Sequence, residues 1–558
     1  MVEELKVEKV KEFPEEAKKI IEMLSNLVEE LSSKNRELAE EVQKLRDELN
    51  RMKGEQGKPD IKASKKDDDT GDAGDAGDAG DTGDGTEDIS SEEERRARKK
   101  RRKKKKKATL IIHQEEKLTI DKSELPEDVK FQGYESVVIQ DIAISPNNTC
   151  FLKAKYYSPS EGKSYLAPMP AGYEGEFGPG VRTLIITLYH GSGMTEPKIQ
   201  EFLGNFELSI SEGQISNILT KDLEEWHEEK EAIVKAGLGS TSYQQTDDTG
   251  TRVNGKNQYC HIFCNPYYTA YFTRPYKNRL TVIQLMQGTE ELQLKITDET
   301  MAFLEQFKVP KWVQAHVQTW VRDGLYTLEE MESLISNKLR TLGEQHKARV
   351  FEAAALTAYN AQTDMPVIEI LLSDDAPQFG CITTHHALCW VHEGRLYKKL
   401  TPFLEHHRHL LDSFLDEFWR FYKRLLEFCL NPNPPDAQQL RYDFDSLFSQ
   451  TTGYHQLDKY IARTKAKKHK LLLALDFPDL PLHNNAAELG ARQRVRKRKI
   501  SCGPRTQDGL QAWDTFATIS ETAKKLGVNF FAYVFDRVSR SYQLPNLADL
   551  IPQPTPVI

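Results

Sequence analysis

The chain has 558 residues, 29% of them charged, and a formal net charge of −9. This length is sufficient for two or more domains. Its seven cysteines show no paired spacing, which argues against a disulfide framework and indicates a reducing, cytosolic compartment. We expect no signal peptide and no membrane helix, because no apolar run reaches the required length of about 18 residues. The acidic net charge does not exclude nucleic-acid binding, since the charge is segregated along the chain.

Residues 1–57 are predicted to form a leucine-zipper coiled coil. Ile21 is the first heptad a position and Leu24 the first d position, and Met52 is the last d position. β-Branched residues at a, leucine at d and one polar Asn35 at a favour a parallel two-stranded coiled coil. The alternative is a single long helix packed on the body of the protein. The expected dimer contacts are Leu24, Val28, Leu31, Asn35, Leu38, Val42, Leu45 and Leu49.

Residues 58–107 are predicted to be a disordered linker, first acidic and then basic. The Gly-Asp-Ala repeats of 67–85 contain no apolar residue larger than alanine, so they cannot form a core. In the block Arg95–Lys107 only Ala97 is not basic. Such blocks bind polyanions, and the DNA backbone is the natural target; the alternative is a solvated tail without a fixed partner. The expected DNA contacts are Arg95, Arg96, Arg98, Lys99, Lys100, Arg101, Arg102 and Lys103.

Residues 108–190 are predicted to be a small β-rich module, with strands at 110–113 and 136–144. Cys150 is the only cysteine in this module, which excludes a four-ligand cysteine zinc site. Residues 191–240 are predicted to be a helical DNA-binding region. Helices at 196–206 and 214–223, with Ser211 as the cap of the second, are similar to a helix-turn-helix that enters the major groove. A small packing subdomain is the alternative.

Two aspartate pairs follow. Asp247 precedes a run of hairpin strands with a tight-turn signal at Asn254-Gly255. Asp374 ends a buried strand predicted over 367–374, which is a position from which an acid can reach a crevice. Because neighbouring strand residues face opposite ways, Asp248 and Asp375 are expected to point away from any site that Asp247 and Asp374 form.

A third acid, Glu488, lies beside a dense set of cations. A carboxylate in such surroundings weakens DNA binding unless it has another partner, such as a divalent metal ion that itself sits on a phosphate. The alternative is a surface glutamate on a basic helix. A hairpin run with the first acid, a strand ending at the second and a helix carrying the third is the ribonuclease-H-like layout. The cations expected to bind DNA are Arg492, Arg494, Arg496, Lys497, Arg498 and Lys499.

The predicted fold is therefore multidomain: an N-terminal parallel coiled coil, a disordered charged linker, a small β-rich and helix-turn-helix-like region, and an α/β ribonuclease-H-like core with a helical insertion. The core is predicted over 241–385, and the insertion over 386–480, where 403–430 is strongly amphipathic. The helix of the third acid and a closing helix are expected over 481–540, and a tail over 541–558.

Several motifs together resemble the insertion-sequence 66 family of transposases, over roughly residues 110–540. They are the segments 246–249, 372–375, 389–395, 483–488 and 521–533. Two features depart from that family's pattern. The zinc finger that often precedes the catalytic domain lacks its cysteines here, and His483 stands where the family usually has aspartate. His483 either orients Glu488 or is a loop residue.

The resemblance implies a DD-E transposase that cleaves element ends and joins the resulting 3′-hydroxyl to target DNA by two-metal-ion transesterification. Asp247, Asp374 and Glu488 would be the catalytic residues and would hold two Mg²⁺ ions, with Mn²⁺ as a possible substitute and no zinc. Trp390 and His392 are candidates for contacting a base or phosphate, although packing is the commoner role of such residues. The possible supporting residues around the site are Cys389, Trp390, His392, His483, Asn484 and Asn485.

The expected partners are element-end DNA, target DNA, a second copy bound through the coiled coil, and accessory proteins of the same element. We expect a cytoplasmic, nucleoid-associated protein. Two alternatives remain: a non-catalytic dimeric DNA-binding protein derived from a transposase, and a metal-dependent nuclease without strand transfer. A basic leucine-zipper factor is disfavoured, because its basic region precedes the zipper, whereas here the basic block follows it across an acidic linker.

Overall fold

The computed structural model describes residues 14–52, 111–120, 130, 132–142, 144–289 and 291–553. The predicted linker and its basic block Arg95–Lys107 lie outside these residues. The chain divides into two compact units. We call residues 1–90 with 369–484 the insertion unit, and residues 91–368 with 485–558 the meander unit.

Seven strands occur among the described residues. They are β1 (Lys155–Ser158), β2 (Lys163–Leu166), β3 (Tyr243–Val253), β4 (Lys256–Cys264), β5 (Thr269–Arg274), β6 (Ile370–Ser373) and β7 (His385–Leu388). The strands β1 and β2 pair antiparallel as an exposed hairpin. The core strands are of mixed direction: β3, β4 and β5 are antiparallel in the meander unit, and β6 and β7 are parallel in the insertion unit.

Eighteen α-helices accompany them among the described residues. They are α1 (Glu15–Met52), α2 (Pro179–Ile186), α3 (Glu196–Gly204), α4 (Glu212–Thr220), α5 (Glu224–Gly239), α6 (Arg279–Gln287), α7 (Asp298–Gln306), α8 (Lys311–Gln318), α9 (Leu328–Lys338), α10 (Glu344–Asn360), α11 (Trp390–Lys398), α12 (Glu405–Leu430), α13 (Pro434–Leu447), α14 (His455–Ala466), α15 (Lys468–Leu471), α16 (Asn485–Ser501), α17 (Gln507–Leu526) and α18 (Phe530–Val538). A π-helical turn at Thr187–Gly191 follows α2. None of these helices is both long and apolar enough to cross a membrane.

The meander β3–β4–β5 forms because its sequence alternates as predicted and its first turn has the right chemistry. Asn254 and Gly255 both adopt positive φ, 46° and 74°, as the predicted two-residue hairpin turn requires. The resulting register places Asp247 opposite Ile262, and Ile262 opposite Tyr271. These three residues therefore lie in one row on one face of the meander.

Helix α17 protects the outer edge of β5. Asp514, Thr518 and Thr522 follow each other at four-residue intervals, so they lie along one face of this helix. Their side-chain oxygens accept hydrogen bonds from alternate backbone N–H groups of β5, the longest being 3.3 Å. An edge strand that would otherwise present unpaired donors is thus satisfied by a helix, and the meander and α17 form one layered body.

A block of five helices, α6 to α10, lies between β5 and β6 and was not predicted from the sequence. Its interior is apolar, with Val282, Ile283, Val350 and Leu356 fully buried. We predicted the ribonuclease-H-like core over 241–385 without a helical subdomain inside it. The five-helix block therefore adds structure to that part of the chain.

The insertion unit has an aromatic core. Helix α12 is amphipathic, as predicted, and buries Phe414, Phe418 and Phe421. Trp390 packs against Phe418 and Phe421 with ring centroids 5.5 Å apart. The predicted basic helix over 460–470 is divided between α14 and α15.

Two strand predictions for the N-terminal region are wrong. Residues 111–113 and the described residues of 136–144 form no strand, and Ile111 and Ile139 are 80% and 83% exposed. Alternating apolar residues form a strand only where a partner and a core cover them, and the described residues supply neither here. The two helices predicted near 200 and 216 are confirmed as α3 and α4, with Ser211 accepting a hydrogen bond from the backbone of Gln214 at 3.2 Å.

Candidate active site

The first aspartate pair lies on β3, where strand alternation separates its two side chains. Asp247 is in the row of Ile262, whereas Asp248 pairs with His261 and therefore faces the other side of the meander. The Asp248 carboxylate lies 3.5 Å from the Lys277 ammonium group. An Asp247 carboxylate oxygen accepts a hydrogen bond of 2.8 Å from the backbone N–H of Asp248. The expectation that the two acids point in opposite directions agrees with this register.

Helix α16 carries Glu488 in its first turn and packs on the face of the meander that carries Asp247. The approach is close because Gly490 has no side chain: a Cβ there would lie 3.0 Å from Ile262 Cγ2. The Tyr271 hydroxyl donates to the Gly490 carbonyl at 3.2 Å. Ile262 and Tyr271 belong to the row of Asp247, so the meander unit by itself brings the helix of the third acid to the face of the first.

The loop after α16 is fixed to the tip of the β3–β4 hairpin. Gly503 adopts φ +96°, and a Cβ there would lie 2.2 Å from the Arg252 carbonyl oxygen, so only glycine is accommodated. The Asn254 N–H donates to the Pro504 carbonyl at 3.0 Å. Both ends of α16 are thus tied to the meander, which stabilises the orientation of Glu488.

Arg494 is not a surface cation, although we predicted that it contacts DNA. It is 4% exposed, forms an ion pair with Asp514, and donates to Cys260 Sγ at 3.3 Å. Its position follows from helical spacing, because Ala487, Gly490 and Ala491 form the buried stripe of α16 and Arg494 continues that stripe. Arg494 therefore stabilises the contact between α16, α17 and the meander.

Lys497 also turns inward. Its ammonium group donates to the carbonyl oxygen of Tyr189 and lies 3.5 Å from the centre of the Tyr189 ring. Burial lowers the pKa of Lys497 to about 7, with Glu196 opposing and Arg494 adding to this effect. It borders a cavity of about 210 Å³ that Arg494, Trp513 and Glu521 also line. The prediction that Lys497 contacts DNA is not compatible with this position.

The remaining predicted cations of α16 stay at the surface. Arg492, Arg496 and Lys499 are exposed, and the half-buried Arg498 donates to the carbonyl oxygen of Gly250 on β3. These four side chains are the ones on this helix that are available for a phosphate backbone.

The second aspartate pair lies in the insertion unit. Asp374 directly follows β6, and its carboxylate accepts a hydrogen bond of 3.1 Å from the Ala376 N–H. Asp375 forms an ion pair with Lys467 at 2.9 Å and a longer one with Arg463 at 3.8 Å. Lys467 also binds the buried carboxylate of Glu393 at 2.9 Å. Asp375 is thus engaged with cations of α14 and of the residue that follows it.

Two of the predicted supporting residues have structural roles. Trp390 is fully buried, and its indole N–H donates to the Leu471 carbonyl at 2.8 Å, so the packing alternative holds and a contact with a DNA base does not. Cys389 is the cap of α11: its sulfur accepts from the His392 N–H at 3.5 Å and from the Asn484 N–H at 3.3 Å. Cys389 therefore joins the start of α11 to the segment that precedes α16.

The other predicted supporting residues lie around these elements. His392 is in the first turn of α11 and half-buried, and His483 is half-buried in the segment before α16. Asn484 is buried, and Asn485 is the first residue of α16. The loop interpretation of His483 agrees with its position between elements.

Several residues that organise this region were missed in the sequence. Asp514 and Thr518 were hidden in the amphipathic pattern of α17, and Glu393 and Lys467 in that of the insertion. The four-residue spacing of Asp514, Thr518 and Thr522 was a usable signal, because a polar stripe inside an otherwise apolar helix face needs partners. For Glu393 and Lys467, 74 residues apart, no local signal existed.

Comparisons with known proteins agree with the motifs. A model described as transposase IS66 family matches residues 370–512, which include Asp374 and Glu488. The chain is also similar to the uncharacterized protein y4jO of Sinorhizobium fredii (strain NBRC 101917 / NGR234), with 32% identity over 306 residues. That alignment covers 55% of this chain and 94% of the relative. The chain therefore belongs to the IS66 family of transposases.

Proposed function

We propose that this protein cleaves the ends of its DNA element and joins the resulting 3′-hydroxyl to target DNA, with Asp247, Asp374 and Glu488 as the catalytic carboxylates. The observation that carries the proposal is the packing of α16 on the Asp247 face of the meander through Gly490. This packing brings the helix of Glu488 to the strand of Asp247 without any contribution from the basic residues.

The neighbouring acids support this choice of residues. Asp248 and Asp375 each form an ion pair with a lysine of their own unit, so their charges are compensated by the fold. Asp247, Asp374 and Glu488 are all partly exposed, as carboxylates must be if they are to reach DNA.

The donor set fits a hard divalent cation. Carboxylate oxygens are the ligands that Mg²⁺ and Mn²⁺ prefer over the softer sites chosen by zinc. Asp247, Asp374 and Glu488 would hold two such ions, which when bound would activate the attacking oxygen and stabilise the departing one. The chain's own contribution is position: β3, the end of β6 and the first turn of α16 each hold one carboxylate.

The surface cations of α16 supply DNA binding beside Glu488. Arg492, Arg496, Arg498 and Lys499 would bind phosphates without reading the sequence. Helix α4 is not assigned a role in DNA binding, because Glu212–Thr220 contains one acid and no lysine or arginine, and its apolar residues Ile215 and Leu219 are buried. The packing alternative for the helix-turn-helix-like region is therefore preferred.

The direct test is a strand-transfer assay. The full-length protein is incubated with Mg²⁺ and duplexes that carry the element ends, whose sequence is read from the DNA flanking the gene, together with a target plasmid. We expect nicked ends with a free 3′-hydroxyl and joined products. Binding without cleavage would favour the regulator alternative, and cleavage without joining would favour the nuclease.

A further inference from the structure

Helix α1 is polar on one face and apolar on the other, and the two faces have different surroundings. Asn26 and Glu29 are 9% and 4% exposed, whereas Leu31 and Leu38 are 53% and 57% exposed. In the heptad numbering that places Ile21 at a, Asn26 is at f and Glu29 at b. These positions lie on the side of the helix away from the a and d stripe.

Glu29 binds the start of helix α12. Its carboxylate accepts hydrogen bonds from the backbone N–H groups of Phe403, at 2.9 and 3.0 Å, and of Leu404, at 2.8 Å. The His407 ring nitrogen Nδ1 donates to the same carboxylate at 3.1 Å. Because Leu404 is the residue that precedes α12, Glu29 supplies a negative charge where the first N–H groups of that helix need an acceptor.

Asn26 binds the start of helix α14. Its amide nitrogen donates to the Gly453 carbonyl at 2.8 Å, and its amide oxygen accepts from the His455 N–H at 2.9 Å. Both groups of the side chain are therefore paired with the loop between α13 and α14, and the amide nitrogen also donates to the Glu22 carbonyl within α1. One turn of α1 thus fastens two helices of the insertion.

Arg36 extends this contact, since its guanidinium group donates to the Thr401 hydroxyl. Arg36 is again at heptad position b, so the three contacts follow one side of α1. Neither this side nor its partners uses a leucine of the zipper. The docking of α1 on the insertion is consequently compatible with pairing of the leucine stripe.

We propose that α1 is a two-faced connector: its polar face fastens it to α12 and α14 of its own chain, and its leucine stripe binds the same stripe of a second copy. The stripe is self-complementary in a parallel pair, in which Asn35 meets its mate and fixes the register. The coiled coil then carries two insertions at its outer sides, one for each copy. This extends the expected dimer, and it does not depend on the proposed catalytic activity.

The polar contact is tested by hydrogen exchange on the full-length protein. Glu29→Ala removes the acceptor of the Phe403 and Leu404 N–H groups, so their exchange should accelerate by about tenfold or more. Glu30→Ala is the matched control, because Glu30 is the next residue, is exposed, and pairs with Lys34 at 2.7 Å. It should leave the exchange of residues 403 and 404 unchanged.

The apolar contact is tested by light scattering on the same protein. Leu31→Lys combined with Leu38→Lys should convert the dimer to a monomer while the protection of residues 403 and 404 persists. Glu29→Ala should keep the dimer mass. Equal exchange in wild type and Glu29→Ala, a dimer that survives both lysines, or a monomeric Glu29→Ala protein would each overturn the two-faced connector.

Discussion

The two aspartate pairs look alike in sequence, yet the fold treats them differently. In the first pair Asp248 is turned away from Asp247 by strand alternation and meets the half-exposed Lys277. In the second pair Asp375 lies beyond the end of β6, where alternation no longer applies, and is held by Lys467, some 90 residues later in the chain.

The difference shows two ways of separating a structural acid from a functional one. In the meander unit a local rule is sufficient, and the cation that compensates Asp248 is an exposed accessory. In the insertion unit a buried network of Asp375, Lys467 and Glu393 does the same task. We therefore expect the two pairs to agree in catalysis and to differ in stability.

The largest effect is expected for the functional members of the pairs. Asp247→Asn, Asp374→Asn and Glu488→Gln preserve size but remove one negative charge each from the proposed metal ligands. Each should reduce end cleavage and strand transfer by about a thousandfold or more, the scale on which loss of one member of a catalytic group acts. Binding to element ends, measured by gel shift, should persist.

Asp248→Asn and Asp375→Asn are the matched controls for these variants. Both should retain cleavage within about tenfold of wild type, because their charges are engaged by lysines. A Glu488→Gln protein that cleaves at the wild-type rate would show that this acid is misassigned. An inactive Asp248→Asn protein that still folds would contradict the separation of the first pair.

The same separation of structural from functional charges is expected along α16. Arg494→Ala leaves Asp514 buried without its cation and should destabilise the protein by about 3–5 kcal/mol. Arg492→Ala, two residues earlier and exposed, should change the free energy of unfolding by less than about 0.5 kcal/mol. Urea unfolding measures both values.

DNA binding should reverse that order. Arg492→Ala should reduce the slope of log affinity against log salt by about one unit. Arg494→Ala protein that remains folded should keep the wild-type slope. If the two variants lost stability equally, the burial of Arg494 would not be what distinguishes them.

The stability difference between the two aspartate pairs should be smaller. Asp375→Asn removes a carboxylate from a network that includes the nearly buried Lys467 and Glu393, and should cost about 1–3 kcal/mol. Asp248→Asn should cost less than about 1 kcal/mol, because Lys277 is half-exposed. Equal urea midpoints for the two variants would remove the contrast between a local and a long-range mechanism.

The smallest effect is a pH dependence that arises from Lys497. Its pKa is lowered from 10.5 to about 7 in the folded protein, so between these values the unfolded chain holds a proton that the folded chain lacks. The free energy of unfolding contributed by Lys497 should therefore rise with pH above 7, by at most about 1.4 kcal/mol per pH unit.

Lys497→Met should flatten this rise, as measured by urea unfolding at pH 7, 8 and 9. Lys499→Met, which replaces an exposed lysine of the same helix, is the control and should follow the wild-type profile. Parallel profiles for wild type and Lys497→Met would mean that Lys497 keeps its proton in the folded state.

Much of the fold around the site was predictable because local chemistry determines it. The Asn254-Gly255 turn requires positive φ at both residues, and strand alternation then decides which of Asp247 and Asp248 shares a face with Ile262. The apolar period of α17 and the cap at Ser211 are similarly local. These elements could be predicted because the residues that cause them are neighbours in sequence.

What the sequence did not disclose depends on partners that are distant in the chain. Arg494 and Arg492 are the same residue type on one helix, and only the packing of α16 against β4 and α17 decides that one is buried. The five-helix block between β5 and β6 was missed for a related reason, since its short helices are stabilised by one another rather than by strong local signals.

Helix α1 shows both sides of this division. Its leucine heptads are a property of the sequence, because a repeat of seven residues places a and d on one stripe. That Asn26 and Glu29 on the other side are buried could not be inferred, because polar residues at such positions are normally solvated. Their burial follows from the backbone N–H groups that the starts of α12 and α14 present to them, and only the tertiary structure brings these groups within hydrogen-bonding distance.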